Sequence, residues 1–322
     1  MSHSINQFKP HFFFRNRHIQ TILSPLTRKE IQLPTSKSWS ITKDGITLYG
    51  KLHPAKANHH HIIVIFHGLG GRSDSPYVAG VTASLIKRGF SVLRMSLRGG
   101  EDDSPHTYHA NQIQDIDWIV DHLHTHGYKV SLMGFSLSSS MILKWLEHER
   151  NIQSAFLVSP AINLSKCVQK LDDRANKVYQ KYFLKKLKKL LERKSNAHPH
   201  LFQKFISQET FSSIRAFDSQ FTAIRNGFSS ADEYYSVSSP TQLDKIQNKV
   251  CIIHSKDDPF IDFQELAVAQ KLNKPNLQVH LTDFGGHVGF FQGLRKGYMI
   301  DQWAADYFEK ALLGSSGSPT SK

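Results

Sequence analysis

Cysteine is scarce: Cys167 and Cys251 are the only two in 322 residues. A fold stapled by disulfides is excluded, and no cysteine–histidine spacing of the zinc-binding kind occurs. No segment approaches the roughly 18 consecutive apolar residues of a membrane-spanning helix. The opening stretch, MSHSINQFKPHFFFRNRHIQ, lacks the apolar core and small-residue cleavage site of a secretory signal. A soluble, reducing, cytoplasmic setting is therefore expected. Hydrophobic residues still make up 39% of the chain and Phe alone occurs 21 times, so a substantial core is available.

Acidic residues are also in deficit, 27 against 40 Lys and Arg, which leaves a formal charge of +13. Much of the excess lies in KVYQKYFLKKLKKLLERK, residues 177–194, where Glu192 is the single anion. Tyr179, Phe183, Leu187, Leu190 and Leu191 recur there at helical spacing, which makes an amphipathic basic helix. Docking of the apolar stripe on the domain, with lysines in water, is the preferred reading. Peripheral contact with an anionic membrane through 177–194, or with nucleic acid, is the alternative.

Beyond the loop-rich first 50 residues, where EIQLPT and ITLYGKL read as short extended pieces around Asp44-Gly45, the pattern changes. Short apolar runs at 61–66, 91–95, 129–133 and 154–158 alternate with helical patterns near 76–88, 111–126 and 137–149. That alternation predicts an α/β fold with a mostly parallel sheet flanked by helices. It stops after Val158 and resumes with strands at 249–254 and 276–281 and helices near 263–272 and 301–312. Residues 1–322 thus read as one domain, with 165–235 as a helical cap insertion and 314–322 as a disordered tail. The HFFF segment at 11–14 is expected to pack against the core rather than insert at a membrane surface.

Three candidate catalytic groups follow the C-terminal ends of predicted strands, where open α/β sheets gather reactive groups. Ser136 lies in MGFSLSSS, the acidic pair Asp257-Asp258 in SKDDPFID, and His287 in DFGGHVGF. The order serine, acid, histidine is that of the α/β-hydrolase triad. A serine hydroxyl needs a base to take its proton and a carboxylate to orient that base. MGFSLSSS approximates the nucleophile-elbow pattern Gly-x-Ser-x-Gly, with Ser138 at the second glycine position. A helix start capped by Ser136 or Ser138 is the competing reading. IFHGLGG (65–71) ends a strand in a glycine-rich turn, where such a fold supplies an oxyanion donor. The backbone N–H groups of Leu69 and Leu137 are therefore the proposed pair. A nucleotide loop is disfavoured, because the Gly-x-Gly-x-x-Gly spacing fails and no Walker lysine follows. Proline and two apolar residues after the acid select Asp258 over Asp257. HHH at 59–61 points to alternating faces of an extended chain and is not expected to bind metal.

RNRHIQTIL (15–23), FHGLGG, LRGG (97–100), GFSLSSS, HSKDDPFID (254–262) and GGHVGF (285–290) together resemble the YheT-like branch of the α/β-hydrolase family. These are the bacterial relatives of the eukaryotic ABHD-type lipases. The elbow departs from the family pattern, which favours a Gly-Gly pair where Ser138 and Ser139 stand. The resemblance implies an α/β-hydrolase fold and a carboxylic-ester hydrolase acting on short acyl esters or monoacylglycerol-like lipids. It implies that the basic helix belongs to the cap and not to a nucleic-acid module, so no nucleic-acid partner is expected. The cap would cover an acyl pocket with Tyr182, Phe183 and Phe221 as candidate liners. No metal or organic cofactor is called for. An acyltransferase on the same triad, or a catalytically silent membrane-surface protein, are the other readings.

Overall fold

The computed structural model describes residues 5–28, 31–55, 60–206 and 211–313. The expected tail at 314–322, and His59 of the histidine run, lie outside them.

Strand order follows from which runs are apolar on both faces. β3 (His61–Phe66), β5 (Lys129–Phe135), β6 (Ser154–Val158) and β7 (Val250–Ser255) are almost wholly buried and run parallel in the middle of the sheet. β1 (Lys37–Lys43) and β2 (Ile46–His53) form a hairpin at one edge, its outer strand β1 largely exposed, and β4 (Ser91–Met95) joins it to β3. β8 (Leu277–Thr282) closes the other edge, for the order β1-β2-β4-β3-β5-β6-β7-β8. The hairpin turns at Asp44 and Gly45, both at positive φ, which suits the right-handed twist of the flanking strands. The described part of EIQLPT contributes no strand: residues 31–36 are irregular and pairing begins at Lys37. Pro34 has no N–H to offer a ladder.

Alternation along β3 divides the core into two layers. Ile62, Val64 and Phe66 face α3 (Gln114–Thr125), α4 (Leu137–Trp145) and α11 (Phe263–Lys271). Ile63 and Ile65 face α2 (Pro76–Lys87) and α12 (Met299–Leu313). Each fully buried aliphatic side chain contributes about 1.5–3 kcal/mol against exposure, so the two layers supply most of the driving force.

Between β6 and β7 the chain builds a third apolar cluster. It comprises α5 (Leu164–Asp172), α6 (Lys177–Ala197), α7 (Pro199–Ile206), α8 (Ile214–Phe217), a π-helical turn Asp218–Thr222, α9 (Ala223–Arg225) and α10 (Ala231–Ser238). Two cations of the basic stretch anchor this layer rather than face water. Arg193 donates to the carbonyls of Gly99, Gly100 and Asp102, and the buried Lys194 ammonium donates to those of Asp102 and Ser104. The exposed cationic face of α6 therefore ends at Lys189. Before the sheet begins, α1 (Arg17–Thr27) is capped by Asn16, whose side chain accepts from the N–H groups of His18 and Ile19. The short strands β9 (Phe291–Gly293) and β10 (Gly297–Tyr298) form a small hairpin after the last sheet strand. Among the described residues no helix is long and apolar enough to cross a membrane.

Candidate active site

MGFSLSSS carries the chain from β5 into α4 through Ser136 at φ 54° and ψ −117°. A non-glycine residue held there stores roughly 1–3 kcal/mol of backbone strain. The turn tolerates no side chain at Gly134, where a β-carbon would come within 2.8 Å of the Ser139 nitrogen. Ser136 makes no side-chain cap bond to α4, so the helix-cap reading fails for it.

Ser138 and Ser139 sit where the family pattern favours glycine, and both hydroxyls are used. Ser138 Oγ lies 2.9 Å from the Phe66 carbonyl and accepts from the Phe135 N–H at 2.9 Å. Ser139 Oγ donates to the Val158 carbonyl at 3.0 Å and accepts the Val158 N–H at 3.1 Å. These bonds tie the elbow to β3 on one side and β6 on the other, satisfying buried backbone groups at the sheet's C-terminal rim.

His287 arrives from the loop after β8. Its Nε2 lies 2.7 Å from Ser136 Oγ, and its Nδ1 lies 2.8 Å from Asp258 Oδ2. The other Asp258 oxygen accepts the N–H groups of Phe260 and Ile261, each at 3.0 Å. That is the structural sense of the Asp-Pro-apolar-apolar sequence: the turn after Pro259 folds two donors back onto the acid. Burial pushes the Asp258 carboxyl up, but His287, His254 and the Phe260 N–H outweigh it and hold it below the usual carboxylate range. Asp257 has a different partner, the Gly286 N–H at 2.9 Å, and burial raises its carboxyl. Asp258 is thus the acid that meets the imidazole. Asp257 shapes the loop carrying it.

Four residues that sequence reasoning did not single out hold the histidine loop. Thr21 Oγ1 accepts the His287 N–H at 3.0 Å, and Gln20 bonds both the N–H and the carbonyl of Phe291. Ser159 donates to the His287 carbonyl and Ser255 to that of Gly286. Gly286 and Gly289 have no room for a β-carbon against Thr21 and Gln20. The signal for two of these was visible: Gln20 and Thr21 lie in RNRHIQTIL, one of the longest motifs carrying the family resemblance.

Opposite the elbow, the turn after β3 brings Gly68 against Ser136, where a β-carbon would lie 3.3 Å from the serine's own. Tyr77 Oη accepts the Gly68 N–H and Tyr108 Oη accepts the Gly70 N–H, both at 2.9 Å. Gly71 donates back to the Gly68 carbonyl. No acceptor among the described residues takes the N–H of Leu69 or Leu137. His67 is structural: Nε2 accepts the Leu97 N–H at 3.2 Å and Nδ1 meets the Gly68 carbonyl. Arg98 pairs with Asp115 and lies over Trp118, fixing its loop. His61 is turned inward to Ser131 Oγ at 2.9 Å.

An apolar cavity under the helical layer opens on Ser136, Leu69 and Leu137. Phe183 and Phe221 line it, as the sequence suggests. Tyr182 does not. It is 47% exposed, edge-on to Phe183 and under the Lys186 ammonium, because one step along α6 turns it about 100° from the inward stripe. One polar cluster interrupts the walls. Asp218, in the π-helical turn, accepts hydroxyl bonds from Thr222 at 2.7 Å and Tyr235 at 2.8 Å, and burial pushes its carboxyl up to about 6. A carboxyl whose value is raised on folding stabilises the native state while both forms are protonated and loses that advantage as pH climbs. Carried from 3.8 to about 6, it costs on the order of 3 kcal/mol at neutral pH relative to acid. Urea titrations of Asp218→Asn against the parent should show the parent losing relative stability between about pH 4 and 6. Parallel pH profiles would remove the buried ionisation.

The family model of the alpha/beta hydrolase fold matches residues 61–294. The chain belongs to the α/β-hydrolase family, in the group that includes YheT of Escherichia coli (strain K12). It is 33% identical to YheT over 299 residues, covering 89% of this chain and 88% of that protein. It is 25% identical to phospholipase ABHD3 of Bos taurus over 294 residues, 85% of this chain and 71% of that one. The solved structure of the Pyrococcus furiosus esterase Pf2001 superposes with a TM-score of 0.56 at 17% identity. That alignment covers 85% of this chain and 92% of the other, and bears on the fold alone.

Proposed function

We propose that this chain is a carboxylic ester hydrolase in which Ser136 is the nucleophile, His287 the general base and acid, and Asp258 the residue that orients the imidazole. The observation that carries the reading is the unbroken hydrogen-bond chain from Ser136 Oγ through both ring nitrogens of His287 to Asp258, at the mouth of an apolar cavity. As Ser136 Oγ attacks the ester carbonyl carbon, its proton passes to His287 Nε2. The Asp258 carboxylate, held below its usual range chiefly by His287, with His254 and the Phe260 N–H adding to it, stabilises the resulting imidazolium.

Charge then develops on the former carbonyl oxygen. The uncommitted N–H groups of Leu69 and Leu137 are its donors, held in place by the tyrosine-bonded turn and the first turn of α4. Collapse expels the alcohol, which takes the proton from Nε2, and leaves an acyl-serine. Water, deprotonated by the same nitrogen, releases the acid. The apolar walls formed by Phe183, Phe217 and Phe221 suit an acyl chain, which supports short acyl esters or monoacylglycerol-like lipids as the substrate class.

The insertion 165–235 acts on this reading as the cap over the acyl group. A panel of p-nitrophenyl esters of graded chain length tests it. Turnover should rise with the first few methylenes and fall once the chain outgrows the cavity. A flat response, or hydrolysis of none of them, would contradict the assignment.

A further inference from the structure

Large apolar side chains stand in water on one part of the surface. Phe12 and Phe13 are 61% and 65% exposed with ring centroids 3.9 Å apart, while Phe14 turns inward onto Phe291. The expected packing of HFFF against the core thus holds for one of its three phenylalanines. His11 stacks on Phe13 and lies tilted against Phe12, and its backbone N–H donates to the Gln292 carbonyl. That bond sets the pair beside the β9–β10 hairpin, whose tip carries Leu294 at 90% exposure. Further along the same segment, His18 Nδ1 meets the Tyr179 hydroxyl at 2.8 Å, joining α1 to the first turn of α6. There Val178 and Tyr182 are 66% and 47% exposed.

Charge on these elements has one sign. Residues 5–22, 291–298 and 177–191 contain no Asp or Glu. Lys9, Arg15 and Arg17 flank the phenylalanines, Arg295 and Lys296 follow Leu294, and Lys177, Lys181 and Lys185 alternate with Val178 and Tyr182. No ion pair among the described residues engages any of these eight cations. A protein partner matched only to the apolar pair would leave this cationic rim unanswered. A polyanion matched only to the rim would leave the phenylalanines in water. An anionic bilayer answers both, with headgroups for the cations and the acyl boundary for the rings.

We propose that Phe12, Phe13 and Leu294, together with the cations carried on the same elements, form a docking surface for anionic lipid bilayers. It deepens the hydrolase reading, on which it rests only for the supply of lipid ester. The docking elements are also the ones that hold the catalytic loop: α1 presents Thr21 to the His287 N–H, and Gln20 bonds Phe291 at the base of the hairpin. Docking would bring the loop that carries His287 toward the lipid boundary.

The test is sedimentation of the full chain with vesicles of phosphatidylcholine, with and without phosphatidylglycerol, beside hydrolysis of a water-soluble ester. The parent chain should bind the anionic vesicles preferentially, and rising salt should release it. A Phe12→Ser/Phe13→Ser/Leu294→Ser variant should lose on the order of tenfold or more in vesicle partition. Arg295→Glu with Lys296→Glu should lose roughly fivefold or more per site. Both should hydrolyse the soluble ester as the parent does, and Ser136→Ala should bind vesicles as the parent does. Equal binding to neutral and anionic vesicles, or parent-like binding by the triple serine variant, overturns the proposal. So does retention on single-stranded RNA that the triple variant preserves, with no retention on vesicles. Failure of soluble-ester turnover with intact vesicle binding would instead strike the hydrolase reading alone.

Discussion

Replacing Ser136 by alanine should lower ester turnover on the order of a millionfold and leave the melting temperature unchanged. The two halves of that expectation have separate causes. Without Oγ there is no atom for His287 to deprotonate, and the rest of the machinery has nothing to act through. What survives is the acceleration from binding and from the proposed Leu69 and Leu137 donors, typically a thousandfold or more over water. Alanine keeps the β-carbon, so the backbone at φ 54° carries the same strain as before. The hydroxyl bonds that join the elbow to its neighbouring strands belong to Ser138 and Ser139 and are untouched. Calorimetry beside steady-state kinetics checks both halves. A fluorophosphonate probe adds a direct reading, since the parent should be modified at one serine and the variant at none. Full activity in the variant, or labelling that persists, would place the nucleophile elsewhere.

The central strands were legible because they are buried on both faces and therefore read as short, mostly apolar runs. β3, β4 and β6 lie at the bounds their apolar runs mark. Less was legible where one face meets solvent or the chain bends. EIQLPT has the composition of a strand but its described residues form none, and the helix read from residue 111 begins at Gln114. The order in which strands lie side by side has no local signature. Only chain-long packing puts β4 between β2 and β3.

Legibility of the site divides the same way. Chemistry confines a candidate serine, acid and histidine to a few residue types at strand ends, so the three side chains that the structure brings together, Ser136, Asp258 and His287, could be named as candidates from the chain alone. Their supports were less legible. Gln20 and Thr21 carried a signal only as members of RNRHIQTIL, while Ser159 and Ser255 are ordinary hydroxyls with no required spacing that reach the histidine loop from elsewhere in the chain. Ser138 and Ser139 read as a weakness of the elbow, because a one-dimensional pattern records the missing glycines and not the backbone groups their hydroxyls satisfy. Tyr182 and Phe183 show the limit of periodicity. It marks which residues share a face, and a one-residue error in phase exchanges cavity for solvent.

Asp258→Asn should reduce turnover on the order of ten-thousandfold, while Asp257→Asn leaves it near that of the parent. In the parent, one Asp258 oxygen accepts two backbone N–H groups and the other faces His287 Nδ1. An asparagine keeps those backbone donors satisfied only by turning its carbonyl oxygen toward them. Its amide then points at Nδ1 and donates to it. That fixes the imidazole with Nδ1 as acceptor and the proton on Nε2, where it opposes the Ser136 hydroxyl instead of accepting from it. The geometry survives and the tautomer is wrong, so substrate binding should hold while kcat collapses. At Asp257 the amide oxygen can keep the Gly286 N–H, and the change removes a buried charge whose carboxyl burial already raises. That variant should be no less stable than the parent. Steady-state kinetics on one soluble ester, with melting curves for both variants, separates the neighbours. Equal losses would mean that the acidic pair acts as a unit, and a loss confined to Asp257→Asn would reassign the triad acid.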